Sequence, residues 1–166
     1  MRLGDICGYG SSRVSAASIA QWDTYITTES MSSNRGSAHN ALSVPRTGTV
    51  SIFKKGNVLV SNIRPYFKKI WQASCDGYCS NDVLVFEART STNPDYLYWV
   101  LSSDLFFDYV MATSKGTKMP RGDKAAIMDY EINDFQDSVQ LQIAAALNPI
   151  REKIALNTKL NGYLAA

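Results

Sequence analysis

Residues 54–70 read Lys54-Lys55-Gly56-Asn57-Val58-Leu59-Val60-Ser61-Asn62-Ile63-Arg64-Pro65-Tyr66-Phe67-Lys68-Lys69-Ile70, with five cations and no acid. The β-branched and aromatic residues in this stretch are typical of strands. The proline at position 65 predicts a bend or a sheet edge, because proline has no N–H to give to a strand ladder. Four side chains are expected to project near the end of a sheet: Arg64, Tyr66, Lys68 and Lys69. The alternative is an edge strand that lysines protect from further pairing.

A second basic segment reads Lys115-Gly116-Thr117-Lys118-Met119-Pro120-Arg121-Gly122-Asp123-Lys124. Its two glycines and its proline disfavour both helix and strand, so a loop is expected. Glycine also permits backbone angles and close approaches that a side chain would block. Cations beside open N–H groups are suited to binding phosphate. A solvated surface loop is the alternative interpretation.

The net charge of the chain is only +2, so binding to nucleic acid would have to come from local basic patches. Seven acids of the carboxyl-terminal half lie outside the two basic segments: Asp95, Asp104, Asp108, Asp129, Glu131, Asp134 and Asp137. This separation along the sequence predicts a polarised surface.

Four strings of the sequence carry a family resemblance. Gly56–Tyr66 is similar to a recurrent strand G-D-(I/V)-L-(V/F)-S-x-I-R-P, and Asp82–Phe86 is similar to the core strand that follows it. Lys115–Arg121 is similar to a G-T-x-M-P-R loop, and Gln140–Leu147 to a spacer helix. In this order the strings resemble the DNA-specificity (S) subunit of Type I restriction–modification systems, from Arg2 to the end of the chain. Asn57 stands where the family usually has Asp, a turn position at which either residue serves.

The resemblance implies a domain that recognises one half of a split site in double-stranded DNA. It also implies that separate methylation and motor–nuclease subunits act on that DNA, so that this chain catalyses nothing and needs no cofactor. The methyl donor would bind the methylation subunit. We therefore expect no catalytic and no metal-ligating residues in this chain.

The DNA-binding candidates fall into two groups. We expect one group mostly to hold phosphates: Arg64, Lys68, Lys69, Lys115, Thr117, Lys118 and Arg121. We expect the other group to reach base edges: Arg35, His39, Asn40, Arg46 and Tyr66. Most of the second group lies in the polar, acid-free stretch Ser30–Thr49, and loops on a rigid scaffold commonly carry variable contacts.

The expected fold class is α+β: a recognition domain over residues 1–136 with a twisted, mostly antiparallel or mixed sheet and packed helices. A coiled-coil-type helical region would follow over residues 137–166. Leu3–Ile6 is expected to form a short strand or lead-in segment, and Gln21–Thr27 a strand.

Asn93-Pro94-Asp95 predicts the start of a central helix, with Asn93 as the N-cap and proline in the first turn. Its expected buried face is Leu97, Val100, Leu101, Leu105, Phe106, Val110 and Met111. The same string is similar to the amine-binding motif of amino-methyltransferases. The second proline of that motif is missing, and no glycine-rich loop precedes it, so helix capping is favoured.

Other classes of protein are disfavoured. The one histidine, His39, lies in a polar loop without a nucleophile elbow, and no Walker loop is present. Cys7, Cys75 and Cys79 are odd in number, which favours free, largely buried thiols over disulfides or a metal site. No export signal or membrane span is recognisable, and a cytoplasmic location is expected.

The carboxyl-terminal region predicts two helices, the first including Gln140–Leu147 and the second starting at Asn148-Pro149. Apolar and Asn residues then recur at coiled-coil spacing, so we expect this region to pair with a second copy unless the helix folds back on its own domain. The expected interface is Leu147, Ile150, Ile154, Asn157, Leu160, Asn161 and Leu164. An antiparallel homodimer would recognise an interrupted palindrome.

Two other functions remain open from the sequence. One is a truncated decoy that binds methylation or motor subunits without recognising DNA. The other is the detached recognition domain of a single-chain DNA methyltransferase.

Overall fold

The structure, a computed structural model, describes residues 1–164 and contains two four-stranded sheets, five α-helices and two short 3-10 helices. The strands are β1 (Cys7–Tyr9), β2 (Arg13–Ser15), β3 (Tyr25–Ile26), β4 (Thr49–Phe53), β5 (Val58–Ser61), β6 (Ile70–Gln72), β7 (Gly77–Cys79) and β8 (Val83–Ala88). The α-helices are α1 (Leu3–Ile6), α2 (Pro94–Ser102), α3 (Asp104–Ala112), α4 (Lys124–Met128) and α5 (Asp137–Leu164). The 3-10 helices are Ala16–Ser18 and Pro65–Phe67.

The first sheet has the order β1-β8-β5-β6 and is antiparallel throughout. The second sheet has the order β2-β4-β7-β3, with a single parallel pair between β3 and β7. This arrangement confirms the expected α+β class with mostly antiparallel sheets.

Strand β5 is buried on both faces, which accounts for its unbroken apolar run. Successive side chains of a strand point to opposite faces. Val58 and Val60 therefore pack in the core beneath α2 and α3, whereas Leu59 packs with Phe53 and Val85 in the core that includes the second sheet. The first sheet is thus the middle layer of the domain, and the loops at its ends are held by two cores.

Of the two alternatives expected for the amino-terminal segment, a short strand or a lead-in segment, the strand is not formed. Leu3–Ile6 is a helical turn rather than a strand, and the strand starts only at Cys7. The carboxylate of Asp5 accepts a hydrogen bond from the Arg2 backbone N–H at 2.7 Å, which closes the turn. Leu3 and Ile6, three residues apart, then bury the same side.

The predicted strand Gln21–Thr27 is also wrong over most of its length, because only Tyr25 and Ile26 are paired. The Asp23 carboxylate accepts from the Ala20 N–H at 2.9 Å and holds the preceding residues in a turn. Trp22 is consequently 86% exposed.

The central helix begins as predicted: the Asn93 Oδ1 accepts from the N–H groups of Asp95 and Tyr96 at 2.9 and 3.0 Å. The helix does not continue to Met111, however. Ser103 has extended backbone angles, and its hydroxyl accepts from the Phe106 N–H at 3.2 Å, so it ends α2 and caps α3. The break rotates α3, and Leu105, expected in the core, is 74% exposed.

The prediction of a second helix that starts at Asn148 is also wrong. A single helix, α5, runs from Asp137 to Leu164 and contains Pro149. The Asn148 side chain, which would have capped a new helix, instead bonds Trp99 and Asp95 on α2. Past Arg151 the helix is exposed up to Leu164, so within the described residues it does not fold back on its own domain.

All three cysteines are free, and two of the three are buried. Cys7 and Cys79 are buried, and burial raises the pKa of each thiol to about 12. Cys75 is exposed. Over residues 1–164, no helix is long and apolar enough to cross a membrane, and no three His, Cys, Asp or Glu side chains are grouped as metal ligands.

Candidate nucleic-acid interface

Three segments, residues 33–36, 62–69 and 115–122, are bonded to one another near one end of the first sheet. We call them the three-loop cluster. The first joint connects residues 33–36 to the turn after β5. The Asn34 N–H donates to the Phe67 carbonyl at 2.8 Å, and the Arg35 N–H donates to the Lys68 carbonyl at 2.9 Å. The polar stretch after Ser30 is thereby attached to the basic turn around Pro65.

The second joint connects that turn to the second basic loop. The Arg64 N–H donates to the Pro120 carbonyl at 2.8 Å, and the Gly122 N–H donates to the Asn62 carbonyl at 3.3 Å. Lys115 and Arg121 exchange both backbone hydrogen bonds at 2.9 Å, which closes the loop between them at its base. The two basic segments, separated in the sequence, therefore form one surface.

The two glycines of this loop occupy positions that disfavour a side chain. Gly116 has a φ of +92°, a left-handed conformation that favours glycine. At Gly122 a Cβ atom would lie 2.9 Å from Asn62 Oδ1, from Val110 Cγ1 and from Ile127 Cδ1. Gly122 is thus the point at which the loop packs closely against the core.

Backbone strain is concentrated in the cluster. Within residues 1–164, the non-glycine residues of positive φ are Asn34, Arg35, Arg64 and Lys68, with values from 50° to 61°. All four lie at the two joints, where left-handed angles cost free energy that the surrounding bonds must offset. The Asn62 Oδ1 beside them is buried without a hydrogen-bond partner among the described residues. Such strain is typical of functional sites, and composition alone gave no sign of it.

Several cations that were expected to bind DNA instead form ion pairs or hydrogen bonds within the domain. Arg35 and Lys68 both bind the Asp104 carboxylate, at 2.5 and 2.6 Å, and together they lower its pKa from 3.8 to about 2, with the Lys68 hydrogen bond contributing most. Arg35 also donates from Nε to the Ser102 carbonyl. Lys69 donates to the Thr28 carbonyl at 2.6 Å. These three side chains support the loops rather than extend from them.

Two further cations form ion pairs at the surface. Lys115 binds Asp123 at 2.5 Å, and Arg121 binds Asp82 at 3.1 Å. The acids are therefore not segregated in space, and the polarised surface expected from the order of charges is wrong around these loops. Exposed ion pairs of this kind contribute little to stability, so either cation can exchange its partner for a phosphate at small cost.

The remaining groups of the cluster are open to a ligand. Across residues 1–164, Arg64 and Lys118 pair with no carboxylate. Thr117 is exposed. Tyr66 is 46% exposed, and its ring lies 4.7 Å from that of Phe67, centroid to centroid. The sequence indicated Tyr66 but missed Phe67 and Met119, which were assigned no role and are both exposed.

The other base-edge candidates lie in the stretch before β4. His39 and Asn40 are exposed, and the His39 N–H donates to the Ser30 carbonyl at 3.0 Å. Arg46 is exposed as well, and it lines a shallow pocket with Ala16 and Ile19, beside the second sheet. Arg46 is thus attached to a different part of the scaffold from the three-loop cluster.

Helix α5 has two parts with different surroundings. Gln140 and Ala144 are buried, and Leu147 lines a groove of the same domain with Trp99 and Phe135. The remaining expected interface residues are exposed: Ile150, Ile154, Asn157, Leu160, Asn161 and Leu164. Leu147 therefore packs against its own domain, while the others form a stripe along the projecting part of the helix.

The fold of this chain is similar to that of several solved structures, including the following three. An HsdS subunit from Thermoanaerobacter tengcongensis matches with a TM-score of 0.72 and 22% identity, over 98% of this chain and 44% of that one. A chain from a study of complex assembly and conformational transition of the type I R-M system matches with a TM-score of 0.71 and 18% identity, over 96% and 44%. The S subunit of a Type I restriction–modification system from M. genitalium matches with a TM-score of 0.65 and 16% identity, over 96% and 40%.

The expected resemblance in fold is therefore confirmed: this chain has the fold found in part of S subunits. It spans less than half the length of each of these neighbours. No protein-family model matches the sequence, and a search of curated proteins finds no match.

Proposed function

We propose that this chain is a DNA-recognition domain of the Type I specificity-subunit kind, and that it recognises one half of a split site in double-stranded DNA. The observation that carries the proposal is the three-loop cluster. Its unpaired and surface-paired cations, an exposed tyrosine and four left-handed residues meet at one end of a rigid sheet. The shared fold of the S subunits supports the same function.

The four cations at the edge of the cluster would hold the DNA backbone. Arg64 and Lys118 are unpaired within the described part of the chain, and Lys115 and Arg121 have only surface partners. Phosphate contacts fix the position of a protein on the duplex, and they release counterions in doing so. Thr117 adds a hydroxyl donor beside them.

Base edges would be read by exposed side chains next to this backbone contact. Tyr66 lies within the cluster, and His39 and Asn40 follow the segment that the first joint holds. Arg35 and Lys68 hold the loops in place through Asp104, and Lys69 does so through Thr28. Arg46 would read bases from the side of the second sheet.

In this proposal the chain performs no catalysis and holds no cofactor. A methylation subunit would bind the methyl donor and act on the DNA, and a motor–nuclease subunit would bind the same assembly. The support for these partners is the likeness to a chain of the type I R-M system.

The projecting part of α5 would pair with the same part of a second copy. Its stripe of Ile, Leu and Asn is at coiled-coil spacing, and Ile154 is 62% exposed. Asparagine on such a seam fixes register and orientation. Antiparallel pairing would relate two recognition domains by a twofold axis, so the DNA site would be an interrupted palindrome.

Fluorescence anisotropy with labelled duplexes over a salt series tests the DNA-binding half of the proposal. Four phosphate contacts in each copy predict that log affinity falls with log salt with a slope of about −3.6 per copy. Failure to bind any duplex at low salt would contradict the proposal. A slope near zero would mean that the cluster does not contact the backbone.

A further inference from the structure

The hydrogen-bond ladder of helix α5 is interrupted at Pro149. Proline has no backbone N–H, so the carbonyl of Ala145, four residues earlier, lacks its usual helical hydrogen bond. Sharp bends in helices usually occur at such positions. The residues on either side of Pro149 are therefore where the direction of the projecting helix is decided.

On the amino-terminal side, Asn148 is fastened to α2 by both ends of its carboxamide. Its Nδ2 donates to Asp95 Oδ2 at 2.8 Å, and its Oδ1 accepts from the Trp99 Nε1 at 3.0 Å. A carboxamide that uses both its donor and its acceptor has little freedom to rotate.

On the carboxyl-terminal side, Arg151 is fastened to the edge of the first sheet. Its Nη1 donates to Gln72 Oε1 at 2.7 Å, and the Gln72 Nε2 donates in turn to Asp95 Oδ1 at 2.8 Å. The guanidinium carbon also lies 4.5 Å from the centroid of the Tyr98 ring, a cation–π geometry. The two sides of Pro149 are thus joined through one carboxylate, that of Asp95. We call Gln72, Asp95, Asn148 and Arg151 the helix latch.

Nothing beyond the latch steadies the helix within the described part of the chain, because residues 152–164 are all exposed. At 1.5 Å per residue this part projects about 20 Å, so a bend of 15° at Pro149 would move its end by about 5 Å. Base pairs are spaced about 3.4 Å apart along DNA. A small change of angle at the latch would therefore displace one recognition surface by more than a base pair.

We propose that the helix latch fixes the direction of α5 and thereby fixes the number of base pairs between the two half-sites. The second clause rests on the proposed function, that is, on two copies that pair through α5 and bind DNA. Asn148 and Arg151 are then residues that determine specificity without touching DNA. Asp95 and Gln72 position them.

A distance measurement tests the latch without DNA. Cys75 is exposed while Cys7 and Cys79 are buried, so a spin label can be attached at Cys75 and at a cysteine introduced by Lys159→Cys. Labelled chains are diluted with unlabelled chains, so that only distances within one chain are measured by double electron–electron resonance. The parent is expected to give one narrow distribution.

Two variants remove the latch from opposite sides: Arg151→Met acts on the helix, and Gln72→Leu acts on the domain. Lys153→Met is the matched control, because Lys153 is exposed on the same helix and has no hydrogen bond or ion pair among the described residues. Both latch variants are expected to broaden the distribution while near-UV circular dichroism stays that of the folded parent, and the control is expected to leave it narrow. A distribution as narrow as the parent's in both folded latch variants would overturn the proposal.

A second experiment tests whether the latch fixes the number of base pairs between the half-sites. It uses duplexes whose spacers between the two half-sites differ by single base pairs. The parent is expected to lose about tenfold or more in affinity when the spacer changes by one pair, because base contacts of one half-site are forfeited. Arg151→Met is expected to reduce that loss below about threefold. An unchanged loss together with a broadened distance distribution would overturn the assignment of spacing to the latch. Absence of DNA binding by the parent would overturn the proposed function and that assignment with it, whereas the distance measurement would still decide whether the latch holds the helix.

Discussion

Arg35 and Asp104, 69 residues apart in the sequence, are joined by an ion pair of 2.5 Å between Nη2 and Oδ1. Lys68 binds the same oxygen at 2.6 Å. A single carboxylate at the start of α3 therefore holds two of the three segments that form the candidate interface. The stability of the three-loop cluster should depend on the charge of this carboxylate.

The first prediction concerns Asp104→Asn. The pKa of Asp104 is lowered to about 2 in the folded protein from 3.8, so its ion pairs stabilise the fold fully above pH 4, and that contribution is lost as the pH falls towards 2. Asp104→Asn should lower the urea midpoint near pH 6, and the difference from the parent should shrink between pH 4 and pH 2. Asp108→Asn, at an exposed position of the same helix and without an ion pair among the described residues, should leave the midpoint near pH 6 unchanged. A difference that persists unchanged at pH 2 would rule out the ion pairs as its cause.

The second prediction concerns Gly122→Ala. The new methyl group would meet Asn62, Val110 and Ile127 at 2.9 Å, closer than real Cβ contacts. We expect a loss of about 1–3 kcal/mol in the free energy of unfolding, as for other overpacked sites. Gly8→Ala is the control, because no atom lies within 4 Å of its added Cβ. Equal stability of Gly122→Ala and the parent in urea would show that the loop does not pack this closely.

Local signals in the sequence were sufficient for some of these features. Asn93 was recognisable as a helix cap because the cap and the N–H groups that it binds lie within three residues. The break at Ser103 was missed although Ser103-Asp104 is itself a helix-start signal, because the apolar spacing across it looked continuous.

Other features depend on contacts between distant residues and could not be read from either partner alone. Asn148-Pro149 has the pattern of a helix start, but Trp99 and Asp95 bind the asparagine and the helix continues through the proline. Lys68 belongs to a basic segment, but its partner Asp104 arrives from another element. The number of cations in a segment therefore overestimated how many are available to DNA.

The third prediction concerns the edge of the three-loop cluster. Lys118→Ala should weaken binding to all duplexes alike, and it should reduce the slope of log affinity against log salt by about 0.9, which is one phosphate contact. Lys55→Ala removes an exposed cation at the opposite end of β5 from the cluster and should leave the slope unchanged. If the two variants give the same slope, the second basic loop does not contact the DNA backbone.

The fourth prediction concerns the pairing of copies. Ile154→Asp or Leu160→Asp would place a charge in the apolar contact of the helices, and light scattering at micromolar concentration should then show a monomer where the parent is a dimer. Lys159→Asp, with its side chain about 140° around the helix from Ile154, should remain a dimer. A parent chain that stays monomeric at high concentration would contradict the proposed homodimer while leaving DNA recognition by one domain open to test.

Selection of bound duplexes from a randomised DNA library tests the central claim most directly, because it asks whether this chain recognises a sequence and in what form. We predict one enriched motif with two short inverted half-sites and a spacer of fixed length, as two copies related by a twofold axis require. Enrichment of no sequence, under conditions in which the protein is folded and binds DNA, would contradict the claim that the three-loop cluster reads bases.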